Sequence, residues 1–140
     1  MTIKQLSIFL ENKSGRLTEV LEILGKEKIN IIAMTIADTS EFGILRMIVA
    51  DSDKAYKSLK EKAFSVTLTD VLSIYISSEA GSAAKVLHQL SDENISIEYM
   101  YAFNHGAKAI FVMRTDDKDK AVKVIEKHKL EIVKQEDLIK

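Results

Sequence analysis

Two short junctions hold the residues best placed to meet a small charged molecule. They are ENKSGRL at residues 11–17 and SSEAGSA at residues 77–83, each set between an apolar run and an amphipathic one. A strand that ends in a glycine turn and opens a helix presents unpaired backbone N–H groups, and the helix dipole favours an anion beside them. Gly15 and Gly81 carry no side chain to block close approach to the main chain. The first junction adds Asn12, and Asn30 follows the helix; each amide supplies both a carbonyl acceptor and an NH₂ donor. Taken singly, Asn12 makes only a turn and Asn30 only starts a strand. The second junction has Ser78 and Ser96 at those places, with shorter hydroxyls, and Glu79 would disfavour a nearby carboxylate. Glycine is kept where both halves need the turn, and asparagine where binding is favoured.

Other chemistries find little support. Cysteine is absent, which excludes disulfides, thiol catalysis and cysteine-ligated metals. The histidines are His88, His105 and His128, without metal-ligand spacing between any two, and they read as partly exposed structural residues. Asp51 and Asp53, like Asp116, Asp117 and Asp119, stand before helices, where caps and dipole-complementing charges explain them better than paired catalytic carboxylates. No catalytic residue, metal or cofactor is expected. Net charge is −1 with both signs mixed along the chain, so nothing draws it to phosphate backbones or acidic membranes. No apolar stretch approaches a membrane span, and no basic-then-apolar signal opens the sequence. A cytoplasmic location is expected, with neither nucleic acid nor membrane as a partner.

The junctions are positioned by a repeat. One fixed offset aligns the halves without a gap: Leu6-Ser7-Ile8 recurs as Leu72-Ser73-Ile74, Gly15 as Gly81, and Val20, Leu21 and Leu24 as Val86, Leu87 and Leu90. Asp53-Lys54-Ala55 recurs as Asp119-Lys120-Ala121. A unit this long is domain-sized, so two small domains, 1–68 and 69–140, are expected rather than a solenoid. In the first, 5–11 reads as a strand. In 16–27, Leu17, Val20, Leu21 and Leu24 make a helical stripe that Ser14 is placed to cap. Strands at 29–37 and 42–50 follow, then a helix opened by Asp51, Ser52 and Asp53, and a closing strand at 64–68. The second repeats this with strand 71–77, helix 82–93, strands 95–103 and 108–115, helix 118–128 and strand 130–134. The order βαββαβ is that of an α+β, ferredoxin-like sandwich, an antiparallel sheet with its helices on one face. Tyr99, Tyr101 and Phe103 alternate onto one face of their strand, where packing between domains or subunits explains them better than a cofactor or nucleic-acid platform.

LSIFLENKSGRLTEVLEILGKEKINI resembles the opening strand–loop–helix–strand of ACT domains, small-molecule sensors of amino-acid metabolism whose loop commonly reads Asn-x-Pro-Gly-x-Leu and whose second strand opens with Asn-Ile. Asn12, Gly15 and Leu17 match the loop, and Asn30-Ile31 matches the strand opening; Ser14 stands where the family has proline, which leaves the loop less preorganised. The resemblance spans both halves and implies a tandem ACT protein that binds an amino acid and catalyses nothing. It implies ligand contacts from Leu10, Asn12, Lys13, Ser14, Gly15, Arg16, Leu17, Asn30 and Ile31, and a weaker second site at Ser78, Gly81, Ser82, Ser96 and Ile97. The ligand would sit at an ACT–ACT interface, between the first loop of one domain and the second strand of another, and modulate assembly or a partner's activity. A homodimer or larger homo-oligomer is expected, with a metabolic enzyme or regulator as a possible partner. The alternative is a protein–protein module acting on such a partner without a ligand of its own.

Overall fold

The computed structural model describes residues 2–11, 14–38 and 41–139. In chain order the elements are β1 (Ile3–Glu11), α1 (Arg16–Lys26), β2 (Ile31–Asp38), β3 (Phe42–Val49), α2 (Ser52–Glu61), β4 (Ser65–Ile76), α3 (Ser82–Ser91), β5 (Ile97–His105), β6 (Lys108–Thr115), α4 (Lys118–Lys127) and α5 (Gln135–Ile139). The chain divides into two compact units, Lys4–Asp70 and Val71–Lys140 with Met1–Ile3. Each carries the expected antiparallel sheet with helices on one face.

In the first unit the strand order is β2-β3-β1-β4. Antiparallel partners share a face, so the register Leu6↔Met47 and Ile8↔Leu45 lines up one apolar side. That side is buried under Val20 and Leu24 of α1 and Ala55 and Leu59 of α2. In the second unit the order is β4-β6-β5, and Leu72, Ile74 and Met113 are buried under Val86 and Leu90 of α3 and Ala121 and Ile125 of α4. Tyr99, Tyr101 and Phe103 are half-buried and alternate with exposed Glu98, Met100, Ala102 and Asn104.

Three sequence expectations need correction. The strands expected at 64–68 and 71–77 are one element, β4; Val66, Thr67, Thr69 and Val71 are β-branched, and no glycine or proline interrupts them. The strand expected at 130–134 is reduced to a single bridge, Ile74↔Ile132, with Tyr75 N–H donating to Glu131 O and Val133 N–H donating to Ser73 O, both at 2.9 Å. Past Val133 the run Lys134-Gln135-Glu136-Asp137 has no apolar alternation to pair with, and it enters α5, anchored by buried Leu138. Ser14 does not cap α1. The N-cap is Gly15, and among the described residues no side chain caps it.

Among the described residues, the four long helices end alike. Leu24 O accepts from Ile29 N–H and Gly25 O from Lys28 N–H; the pairs Leu59–Phe64, Leu90–Ile95 and Ile125–Leu130 repeat the longer bond. These are Schellman ends, each needing one residue in the left-handed region, usually glycine. Here those residues are Lys28, Ala63, Asn94 and Lys129, at φ between 54° and 65°.

Candidate functional site

The turn between β1 and α1 bends at Gly15, whose φ of +91° is left-handed; Gly81 holds +89° at the equivalent point before α3. A Cβ built on either glycine meets nothing within 4 Å. Backbone conformation alone therefore demands glycine, and the space beside the turn is open. α2 and α4 begin differently: Lys54 N–H donates to Asp51 Oδ1 at 3.1 Å and Lys120 N–H to Asp117 Oδ1 at 3.0 Å, the caps that the sequence predicts. At α1 the first amides lack such a cap among the described residues, while Gly15 O already accepts from Glu19 N–H.

Arg16 stands over this opening. Its guanidinium stacks on the Phe64 ring at 4.4 Å and Nη1 donates to Glu19 Oε2 at 3.1 Å, which hold it against the unit. Its Nε is buried and meets no acceptor among the described residues. Below it lies a recess of about 250 Å³ whose origin is visible in the register. Leu10, Gly43 and Asp38 form one row across β1, β3 and β2 on the helix-side face. Gly43 contributes no side chain to that row, so a gap opens between Leu10 and Asp38, beneath the first turn of α1. Leu17 and Ile36 line it with apolar surface, and Glu11 completes the rim.

The second unit has the same backbone frame and none of this chemistry. Its row is Ile76, Ala109 and Asn104, so a methyl fills the place of Gly43 and an amide replaces the Asp38 carboxylate. Ser82, Ala83 and Ala102 stand at the repeat positions of Arg16, Leu17 and Ile36. Ser78 instead lines a recess on the opposite face, beside Tyr75, Lys108 and Glu131. There the Lys108 ammonium sits 4.6 Å from the Tyr75 ring centroid and 3.2 Å from Glu131 Oε2.

The predicted site residues are thus only partly brought together. Leu10, Arg16 and Leu17 line the recess, and Ser14 and Gly15 form the turn above it. Asn12 and Lys13 lie outside the described residues. Asn30 and Ile31 are at the other end of β2 from Asp38, about 25 Å away at the usual strand rise. Asn30 O accepts from Ala50 N–H, and Ser96 makes the matching entry to β5, its N–H donating to Asp116 Oδ1. Gly81 and Ser82 open α3, Ser96 is exposed, and Ile97 begins β5 half-buried. Glu11, Ile36, Asp38 and Gly43 were not singled out in the sequence. The repeat itself carried a signal for three of them, since Ile36/Ala102, Asp38/Asn104 and Gly43/Ala109 are pairs in which the halves diverge in size or charge.

The histidines remain dispersed. His88 is exposed on α3, His105 Nε2 is 3.1 Å from Asp137 O, and His128 ends α4 with Nε2 3.6 Å from Glu93 Oε2. Among the described residues no three His, Asp or Glu side chains gather as a metal site. No described helix is long and apolar enough to cross a membrane.

The whole chain, residues 1–140, matches the family profile described as an ACT domain pair. Among solved structures it is similar to protein BT0572 from Bacteroides thetaiotaomicron, at 51% identity over 100% of this chain and 97% of that one, with a TM-score of 0.94. It is also similar to the regulatory subunit of aspartate kinase from Thermus thermophilus in its ligand-free form: 13% identity, 89% of this chain, 91% of that one, TM-score 0.60. Aspartate kinase from Clostridium acetobutylicum matches 90% of this chain through 33% of its own, at 19% identity and a TM-score of 0.52. At such identities the two kinase likenesses show the fold alone. No functionally curated protein matches the sequence.

Proposed function

The chain belongs to the ACT domain pair family, as its first loop and its repeat implied, and from that premise we propose that it is a non-catalytic regulatory protein that binds a free α-amino acid in its first unit. The observation that carries this reading is the β1–α1 turn: helix amides uncapped among the described residues and a pinned guanidinium stand over a recess that also holds a carboxylate. A zwitterion suits such a place, its carboxylate facing the amides and Arg16 and its ammonium facing an acceptor. Asn12, Lys13 and Ser14 directly precede Gly15 in the sequence and are assigned to the ligand with it. Asn30 and Ile31, at the far end of β2, would join from a second copy of the chain. Ser78, Gly81, Ser82, Ser96 and Ile97 would form the weaker second site, disfavoured by Glu79.

A ligand that prefers one assembly state shifts the equilibrium by its differential affinity, and this is how binding would reach a dimer or a partner enzyme or regulator in the cytoplasm. A thermal-shift screen of the twenty amino acids tests the reading. A ligand at 100 times its Kd stabilises the fold by about 2.7 kcal/mol, which moves the melting temperature by several degrees. If none of the twenty shifts it at millimolar concentration, amino-acid sensing is excluded.

One observation favours a second reading, a protein–protein module without a ligand. Met34 and Ile36, on the helix-side face of β2, are 40% and 49% exposed, the kind of apolar surface that marks contacts. That reading predicts capture of a partner protein with an affinity that no amino acid changes.

A further inference from the structure

Resting on the proposed amino-acid site, we infer that the first-unit recess selects α-amino acids with aliphatic side chains, and that Asp38 is the residue that recognises their ammonium group. Two carboxylates border the recess, but the register separates them. Asp38 shares the helix-side face with Leu10 and Gly43, whereas Glu11 pairs with Phe42 on the other face. Only Asp38 projects from the sheet on the side where Arg16 stands. A zwitterion laid over Gly43 meets a cation and helix amides at one end and the Asp38 carboxylate at the other. Its side chain is left against Leu17 and Ile36.

That wall supplies the selectivity. Leucine, isoleucine or valine buries apolar surface there, while an aspartate, glutamate or lysine side chain laid on that wall gives up water against Leu17 and Ile36, which offer it no polar group. The floor has to be bare. A Cβ at Gly43 would lie 3.6 Å from Ala37 O and 3.7 Å from Ile36 Cδ1, ordinary contact distances, so alanine fits the fold but occupies the ligand's space. The second unit has taken that step, with Ala109 on the floor, Asn104 for the acid and Ala102 for the apolar wall.

Calorimetry on the full chain with leucine and with its α-keto acid, which lacks the ammonium, tests this directly. Asp38→Asn should weaken leucine about ten- to a hundredfold, the usual cost of a lost hydrogen bond to a charged group, and leave the keto acid unchanged or tighter. Gly43→Ala should weaken both without lowering the melting temperature of the free protein. If Asp38→Asn weakens both ligands equally, or neither, its assignment to the ammonium is overturned. If the wild-type chain binds a charged or small polar amino acid in preference to leucine, isoleucine and valine, the aliphatic assignment falls while amino-acid binding stands. If it binds none of the twenty, the underlying reading falls and this inference with it.

Discussion

Tyr75 shows how much of a residue's behaviour is set by its neighbours. Burial beside the C-terminal segment raises the pKa of its phenol, the Asp137 and Glu131 charges push the same way, and the Lys108 ammonium opposes them. The folded chain therefore holds this proton more tightly than the unfolded chain, where a phenol ionises near pH 10. Its contribution to stability is complete below that pH and is lost as pH rises through the folded value. In an absorbance titration Tyr75→Phe should remove a component above the ordinary tyrosine range and soften the alkaline loss of stability; removal of a component at or below pH 10 would contradict the burial argument. The capping roles of Asp51 and Asp117 could be read from the sequence because capping is local, needing only an acid three residues before the amide it accepts. The recess could not. Asp38 and Gly43 meet Arg16 only through a three-strand register, and no spacing along the chain announces that row.

The four Schellman ends are a case where the usual sign was missing. Sequence rules look for glycine after the last helical turn, and the chain places Lys28, Ala63, Asn94 and Lys129 there. What does appear is an apolar pair five residues apart, Leu24 with Ile29, Leu59 with Phe64, Leu90 with Ile95 and Ile125 with Leu130, joined by the longer bond of each end. Each non-glycine residue in the left-handed region costs roughly 1 kcal/mol, least for asparagine. Ala63 is exposed and has no side chain beyond its methyl, so Ala63→Gly should raise stability by about 0.5–1 kcal/mol. Urea denaturation checks it, and a loss of stability would mean that the entropy glycine adds to the unfolded chain outweighs the relieved strain. Strand boundaries failed for a related reason. The join between β4's two parts carries no turn residue, and the C-terminal run after Val133 lacks the alternation that a paired strand needs.

On the scale of the molecule, the two repeats keep one fold and differ at the candidate site. Their shared register explains why the fold was legible from one alignment of the chain with itself. Identities such as Leu6/Leu72, Val20/Val86 and Met47/Met113 mark the two cores, and core positions carry most of the fold's information. The proposed site follows the positions that differ, which a search for likeness passes over. The exposed Met34 and Ile36 lead to the expectation of a homodimer or larger at micromolar concentration, because apolar area of this kind is normally covered. Light scattering that returned 15.7 kDa across that range would show a monomer and remove Asn30 and Ile31 from the ligand site. β4 carries a further consequence, for where a protease meets the folded chain. Proteases cut where the backbone leaves regular structure, and the junction between the repeats, Asp70–Val71, lies within a strand of 12 residues. Limited proteolysis of the native chain is therefore expected to spare Asp70–Val71 and to cut elsewhere first.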